Sequence, residues 1–392
     1  MNLNANDHRR QARRRLPRFA FDYVDGGAED ERCLRRNCDD LAALHLLPQV
    51  LRDTRNADTS ITVFGQRWTM PSGIAPIGFA GLVRPHGDLL LARAAAAEGV
   101  PFVLSTASND RLEAVRAAGL ERNPQAQQWL QLYVMSDRAI AEQLVRRARS
   151  AGFGALVLTV DVAVSGMRER DVRNGFKLPF RFTPSTLFDL ATHPAWSLSM
   201  ASQGRLPSFV NLSETEGGGN SAQLQAAMLA RSMDRTLVWE QLDWLRRLWD
   251  GPLILKGLLH PADAERAARS GVDGIVVSNH GGRQLDAAPS TISVLPRIVD
   301  AVAGRMPVFV DSGFRRGSDV VKALACGATA AFVGRAAVWG MASGAEAGCR
   351  GVLATLRDEI ARTMILIGAD ATGDISAGHL PARSLPQGDS LV

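Results

Sequence analysis

The chain has 392 residues, 46% hydrophobic and 22% charged, which is enough apolar side chain to bury a full core and rules out a disordered polyelectrolyte. Its four cysteines (Cys33, Cys38, Cys326, Cys349) make no CxxC pair and stand near no histidine cluster, so no metal site is expected and reduced thiols fit a cytosolic address. The net charge of +5 comes without a helix-turn-helix or an RNA-binding aromatic signature, which argues against nucleic acid, and no apolar run approaches the roughly eighteen residues needed to cross a bilayer.

From the N-terminus, Arg9, Arg10, Arg13, Arg14 and Arg15 supply much of the excess charge and read as the solvated face of a helix. Eight short apolar runs follow, each ending at a polar residue or glycine: Gly73 to Gly78, Pro101 to Ser105, Trp129 to Val134, Ala155 to Asp161, Pro252 to Gly257, Gly274 to Asn279, Pro307 to Gly313 and Ala330 to Gly334. Their continuous apolar character suits strands covered on both faces. The stretches between them are helical in pattern. Asp88 to Gly99 is alanine-rich, and the segment from Pro261 to Gly271 begins with proline and stops at glycine. Eight strand-helix units predict an α/β fold, a (β/α)8 barrel within a single 1–392 domain: barrel about 70–345, C-terminal helix and tail about 346–392. The crossover from Asp161 to Pro252 is far longer than the others and holds an insertion at about 176–219. A doubly wound dinucleotide fold has no support, because no GxGxxG follows the first strand.

Chemistry in such barrels gathers at the carboxyl ends of the strands. Those ends carry Ser105, Gln131, Tyr133, Thr159, Asp161, Lys256, Ser278-Asn279-His280, Asp311 and Gly334-Arg335. The Asp311 to Gly317 turn and Gly334-Arg335 would lie side by side after the last two strands, where backbone N–H groups, a helix N-terminus and arginines hold phosphate. A flavin-free, phosphate-binding barrel lyase or isomerase would share these features.

The run Ser278-Asn-His-Gly-Gly-Arg-Gln-Leu-Asp286 resembles the active-site signature of the FMN-dependent 2-hydroxy-acid dehydrogenases and oxidases. The resemblance extends from Tyr23-Val-Asp-Gly-Gly-Ala-Glu-Asp30 to the helix after Arg335. The segments Leu104 to Asn109, Arg168 to Asp171 and Val310 to Asp319 are most similar to the mandelate dehydrogenase branch. The resemblance implies FMN as cofactor and oxidation of a small 2-hydroxy acid to the 2-oxo acid. (S)-Mandelate to benzoylformate is expected first; L-lactate, glycolate and longer acids are the alternatives.

It also implies roles for individual residues. His280 acts as base, either on the α-proton or on the hydroxyl proton during hydride transfer, and Asp161 holds its imidazole. Arg283 and Arg168 bind the substrate carboxylate, for which a planar guanidinium suits better than an ammonium. Tyr23 and Tyr133, the only two tyrosines, hydrogen-bond to substrate. Lys256 places a cation beside the N1 and C2-carbonyl side of the flavin. Ser105, Gln131 and Thr159 bond the ring edges, Ser278 belongs to the cofactor site, and the backbone of Pro76-Ile77-Gly78 lies against the ring. Asp311, Gly313, Arg315, Gly334 and Arg335 hold ribityl and phosphate.

Two departures stand out. Relatives often carry threonine at Ile77, and oxidase members usually carry alanine at Gly78, so electrons are expected to go to a quinone or another carrier with slow reaction toward oxygen. The insertion segments Phe176 to Phe182 and Leu187 to Leu206 mix aromatic and aliphatic residues with scattered Lys and Arg, as in an interfacial membrane anchor; a mobile lid or a subunit contact is the alternative. Gly217-Gly-Gly-Asn220 reads as a hinge. The expected location is the cytoplasmic side, peripherally attached to the inner membrane or soluble, and the expected assembly is a homo-oligomer, a tetramer.

Overall fold

In a computed structural model, which describes residues 2–175, 184–203, 207–213 and 233–381, eight parallel strands close on themselves in the order β10-β3-β4-β5-β6-β7-β8-β9. They are β3 (Ser72–Ile74), β4 (Phe102–Ser105), β5 (Gln128–Leu132), β6 (Ala155–Thr159), β7 (Leu253–Leu258), β8 (Gly274–Val277), β9 (Val308–Val310) and β10 (Ala330–Val333). Closure is direct, since Ala331, Phe332 and Val333 of β10 pair with Ser72, Gly73 and Ile74 of β3. All eight expected runs are strands, and most leave the ladder before the polar residues that end the runs. Those residues are thereby free to line the mouth.

Alternate residues of a strand face opposite sides. Val103, Trp129, Ala155, Val157, Ile254, Val276, Phe309, Ala330 and Phe332 form one buried cluster inside the barrel, while Leu130, Leu132, Leu156, Leu158, Ile275 and Val277 belong to the larger core between strands and helices. Two steps along the chain from the inner apolar layer come Ser105, Gln131, Thr159, Lys256, Ser278 and Asp311, and a further step gives Tyr133, Asp161 and His280. One strand parity therefore carries both the inner core and the mouth.

An antiparallel hairpin that the sequence reading did not foresee, β1 (Ile61–Val63) with β2 (Gln66–Trp68), closes the opposite end. Its Trp68 packs 5.5 Å from Trp129 and 6.2 Å from Phe309 between ring centroids, so the barrel is plugged by aromatic rings and open only at the carboxyl ends.

Three helices precede the barrel: α1 (Ala5–Arg15), α2 (Arg18–Asp25) and α3 (Arg32–Ala43). Arg9, Arg10, Arg13, Arg14 and Arg15 are all exposed, as expected, and Arg9 in addition turns its head group onto the fold. Its guanidinium makes two bonds, of 2.6 and 2.8 Å, to buried Asp25 and lies over the Trp339 ring. Burying a carboxylate requires such a partner. The expected helix at Asp88 to Gly99 is α4 (Gly87–Ala97), and the one after Pro261 runs Pro261–Ala267 with proline in its first turn. The span Arg335–Ile367 is broken at Gly344 and Ala345 into two helices, one directly after the last strand and a C-terminal one that begins near residue 346.

Of the insertion, helices Pro184–Thr192, Pro194–Ala201 and Val210–Ser213 are described. Phe176 to Phe182, residues 204–206 and Gly217 to Asn220 lie outside the described residues. Trp196 turns inward, edge-on to Phe19 at 5.5 Å and donating to the Leu82 carbonyl at 3.1 Å, whereas Phe188 and Leu198 are 72% and 71% exposed. Among the described residues no helix is long and apolar enough to cross a membrane.

Candidate active site

The chain after β8 makes three successive left-handed residues, His280, Gly281 and Gly282 (φ 59°, 68° and 73°), and this turn throws the His280 ring over the barrel mouth. Histidine enters that region only at a cost, which surrounding contacts must offset. Nδ1 of the imidazole lies 3.2 and 3.3 Å from the two Asp161 oxygens, and Nε2 lies 3.3 Å from the Tyr133 hydroxyl. The Tyr133 and His280 rings are nearly parallel, 18° apart. A carboxylate only accepts, so Nδ1 carries the proton and Nε2 keeps its lone pair toward the open side. Burial raises the Asp161 pKa, but the charge and hydrogen bond of His280, joined by Lys256, outweigh it and hold the carboxyl below its ordinary value. Burial, reinforced by the Asp161 charge, pushes the Tyr133 phenol well above its ordinary value, so it stays a donor.

Asp161 reaches this position because β7 bulges between Lys256 and Leu258. Gly257 at the bulge has φ 111°, and a Cβ there would sit 2.7 Å from the Asp161 side chain, so only glycine fits. Lys256, before the bulge and on the inward parity of Ile254, donates from Nζ to Ser278 Oγ at 2.7 Å and pairs with Asp311 Oδ2 at 3.2 Å. Ser278 Oγ in turn accepts from the His280 N–H at 3.1 Å, which joins the lysine to the histidine turn.

Beside Lys256 the mouth floor is polar. Ser105 Oγ donates to Gln131 Oε1 at 3.1 Å and accepts from the Ala107 N–H. Gln131 Nε2 and Thr159 Oγ1 are buried with no hydrogen-bond partner among the described residues. Native interiors rarely leave such groups unmet. A flat ring with carbonyls and ring nitrogens on its edge, as FMN has, would meet both, so the residues present fit that cofactor. Tyr23 donates to the Gly78 carbonyl at 3.1 Å, tying the Pro76-Ile77-Gly78 backbone to the same mouth.

The arginines divide into two groups. Arg283 and Arg168 lie over the Tyr23 ring at 5.1 and 5.8 Å, near enough to each other for burial and then their mutual repulsion to lower the Arg283 pKa. Arg283 also donates to the Tyr23 and Gly26 carbonyls at 2.7 and 3.0 Å, and Arg168 pairs with buried Asp171 at 3.1 Å. Burial raises the Asp171 pKa against the pull of Arg168 and Arg283. Arg335 donates to the Val24 and Gly26 carbonyls, and burial, then repulsion from Arg283 and Arg315, pulls its guanidinium down to about 9. Arg315 stacks over Trp339 at 4.7 Å. Cations that depress one another in a buried site are what an anion stabilises.

One part of the expected phosphate site is different. The backbone amides of Arg315 and Arg316 are taken by Asp319, and that of Gly317 by Glu359, so the N-terminus of the helix Gly317–Ala325 is already satisfied by the chain's own carboxylates. The helix that starts at Arg335, after Gly334, has no side-chain cap and is the terminus left for an anion. Gly313 (φ 96°) approaches the Asn37 carbonyl so closely that a Cβ would lie 2.5 Å away.

The structure thus brings His280, Asp161, Tyr133, Tyr23, Arg283, Arg168, Lys256 and Ser278 to one mouth. Sequence reasoning assigned no role to Asp25, Arg170, Asp171, Ser312 or Gln284. Arg170 reaches Glu31 at 2.5 Å and Asp25 at 3.4 Å, Ser312 Oγ accepts from the Gly281 N–H, and Gln284 donates to the Asp161 carbonyl. All five lie in segments that carry the family resemblance (Tyr23 to Asp30, Arg168 to Asp171, Ser278 to Asp286 and Val310 to Asp319), but nothing in their residue types marked a role of their own.

A family model described as FMN-dependent dehydrogenase matches residues 12–382. The chain is 44% identical to (S)-mandelate dehydrogenase of Pseudomonas putida over 96% of its own length and 93% of that protein. It is 41% identical to L-lactate dehydrogenase of Pseudomonas aeruginosa (strain UCBPP-PA14) over 96% and 97%. Among solved structures it resembles that of a monotopic membrane protein, (S)-mandelate dehydrogenase, with TM-score 0.91 at 42% identity over 97% of this chain and 99% of that one. A mandelate oxidase with (S)-4-hydroxymandelic acid gives TM-score 0.83 at 37% identity over 97% and 98%.

Proposed function

The chain belongs to the FMN-dependent dehydrogenase family, and from that premise we propose that it oxidises (S)-mandelate, or a closely related aromatic 2-hydroxy acid, to the 2-oxo acid and passes the electrons to a membrane quinone or another carrier. The observation that carries this reading is the convergence of His280, backed by Asp161, with Arg168 and Arg283 around Tyr23. Family membership sets the flavin-free lyase reading aside.

When bound, FMN would supply the two-electron acceptor for oxidation at the substrate α-carbon. The two guanidiniums fix the substrate carboxylate, and Tyr23 and Tyr133 orient the hydroxyl. Nε2 of His280 takes a proton from the substrate, and Asp161 stabilises the imidazolium that results. Lys256, buried between Ser278 and Asp311, keeps a fixed positive charge against the flavin position. Gln131, Thr159 and Ser105 hold the ring edge, Asp311 and Gly313 the ribityl, and Arg315, Arg335 and Gly334 the phosphate.

Aromatic selectivity is supported by a wall of rings beside the site. Tyr23 meets Phe79 edge-on at 6.1 Å, and Phe79 meets Phe209 at 5.2 Å. A dehydrogenase role is supported by the glycine at position 78, where oxidase members of the family usually carry alanine. The exposed Phe188 and Leu198 on a segment docked against α2 support peripheral membrane contact through the insertion. Anaerobic bleaching of the bound flavin by both enantiomers of a panel of 2-hydroxy acids tests the assignment. (S)-Mandelate is expected to bleach it fastest; a colourless protein would refute the reading, and tenfold faster bleaching by L-lactate would reassign the substrate.

A further inference from the structure

The amide side chains of Asn37 and Asn279 form a closed pair deep behind the histidine turn. Asn37 Nδ2 donates to Asn279 Oδ1 at 2.9 Å, and Asn279 Nδ2 donates back to Asn37 Oδ1 at 2.7 Å. Both residues are buried, and both amides are engaged beyond the pair. Asn279 Nδ2 also donates to the Pro289 carbonyl at 3.0 Å, and Asn279 Oδ1 also accepts from the Gly282 N–H at 3.1 Å. Asn37 Oδ1 also accepts from the Thr291 N–H at 3.4 Å. The Gly282 amide can only donate and the Pro289 carbonyl can only accept, so the orientation of Asn279 is fixed, and that in turn fixes Asn37.

The pair stands at a mechanical junction. The Gly282 N–H bonds to both the main-chain and side-chain oxygens of Asn279, which closes the turn across His280 and Gly281. Helix α3 backs this turn at a second point, since a Cβ on Gly282 would lie 2.5 Å from the Leu34 nitrogen. The same helix meets the ribityl and phosphate turn where the Asn37 carbonyl abuts Gly313. A left-handed histidine persists only where neighbours over-determine it.

We infer that Asn37 is a positioning residue for the oxidation: acting through Asn279, it holds the His280 turn so that Nε2 stays aligned between Asp161 and the substrate. This rests on the function proposed above. Losing the Asn37 amide removes two of the four hydrogen bonds that hold the Asn279 side chain, leaving those to Gly282 and Pro289, and the weakened support loosens the turn and lets the imidazole shift from Asp161 and Tyr133. Small misplacements of a catalytic group cost rate more than binding.

The test uses the full-length, flavin-loaded protein with Asn37→Asp, Asn37→Ala, Asn279→Ala and the Asn37→Ala/Asn279→Ala double variant, with activity counted per bound flavin so that only folded protein contributes. Each Asn37 variant is expected to lose about 10- to 100-fold in kcat with KM for (S)-mandelate within about threefold, and the double variant to be no worse than Asn279→Ala within about twofold. Backbone hydrogen exchange across residues 278–284 is expected to quicken at least about tenfold in the Asn37 variants. A lower melting temperature with kcat per flavin and exchange of that turn unchanged would overturn the inference and leave the pair as packing alone. Failure of every 2-hydroxy acid to bleach the unmodified protein would instead refute the proposed function, and the exchange rates would still decide whether Asn37 holds the turn.

Discussion

A neutral imidazole has one lone pair, and Asp161 decides that in His280 it lies on Nε2. His280→Gln keeps much of the volume but cannot take a proton, and a fall in kcat of about 10²- to 10⁴-fold, with flavin still bound, is the expected result of steady-state assays. Asp161→Asn would let the tautomer reverse and should cost about as much. The same carboxylate couples to stability. Its folded pKa lies below the unfolded one, so its stabilising contribution is complete above about pH 4 and disappears as the pH falls through the depressed value, outside the range where turnover is measured. Of these residues the histidine and the aspartate were legible from their place at strand ends, and Arg168 and Arg283 through the family resemblance. Asp171 and Asn37 were not, because a residue that acts by orienting another carries no chemical signature of its own.

Helix α4 and the loop after β4 meet at a pair of buried carboxyls. Asp88 accepts from the Ser108 hydroxyl at 2.7 Å and the Asn109 N–H at 3.0 Å, while Asp88 Oδ1 and Asp110 Oδ2 are buried without a hydrogen-bond partner among the described residues. Burial, then the charge of Asp110, raises the Asp88 pKa to about 7. A raised folded pKa means the contribution is full below the unfolded value near 4 and is lost as the pH rises toward 7, by at most about 1.4 kcal/mol per pH unit. This loop also anchors the insertion. Asn109 donates to the Ser208 carbonyl, and Asn211 donates to the Asp110 carbonyl. Asp88→Asn should therefore flatten the stability profile between pH 5 and 7.5 and raise the urea midpoint at pH 8; parallel profiles for the two proteins would show that Asp88 does not titrate in that window. The alanine pattern of α4 announced a helix, but nothing in it announced a titrating aspartate, since burial is a property of the assembled loop.

Across the whole molecule, the active-site mouth and the insertion lie on connected surfaces. Trp196 ties the insertion to Phe19 of α2, the helix that also carries Tyr23. Replacing exposed Phe188 and Leu198 with serine should reduce co-sedimentation with lipid vesicles several-fold while leaving turnover with a soluble acceptor unchanged; undiminished binding would place the membrane contact elsewhere. The sequence by itself determined the barrel, because eight apolar runs with polar ends and helical spacers have few other ways to bury both faces of each strand, and it determined the reaction family through the residues at those ends. The tertiary structure alone decided which strand parity faces inward, because apolar residues on both faces hide the two-residue alternation. It alone also brought Arg9 to Asp25 and α3 to the histidine turn. Arg9 and Asp25 meet through the packing of α1 against α2, whereas Asn37 and Asn279 lie 242 residues apart and only the assembled barrel brings them within hydrogen-bonding distance.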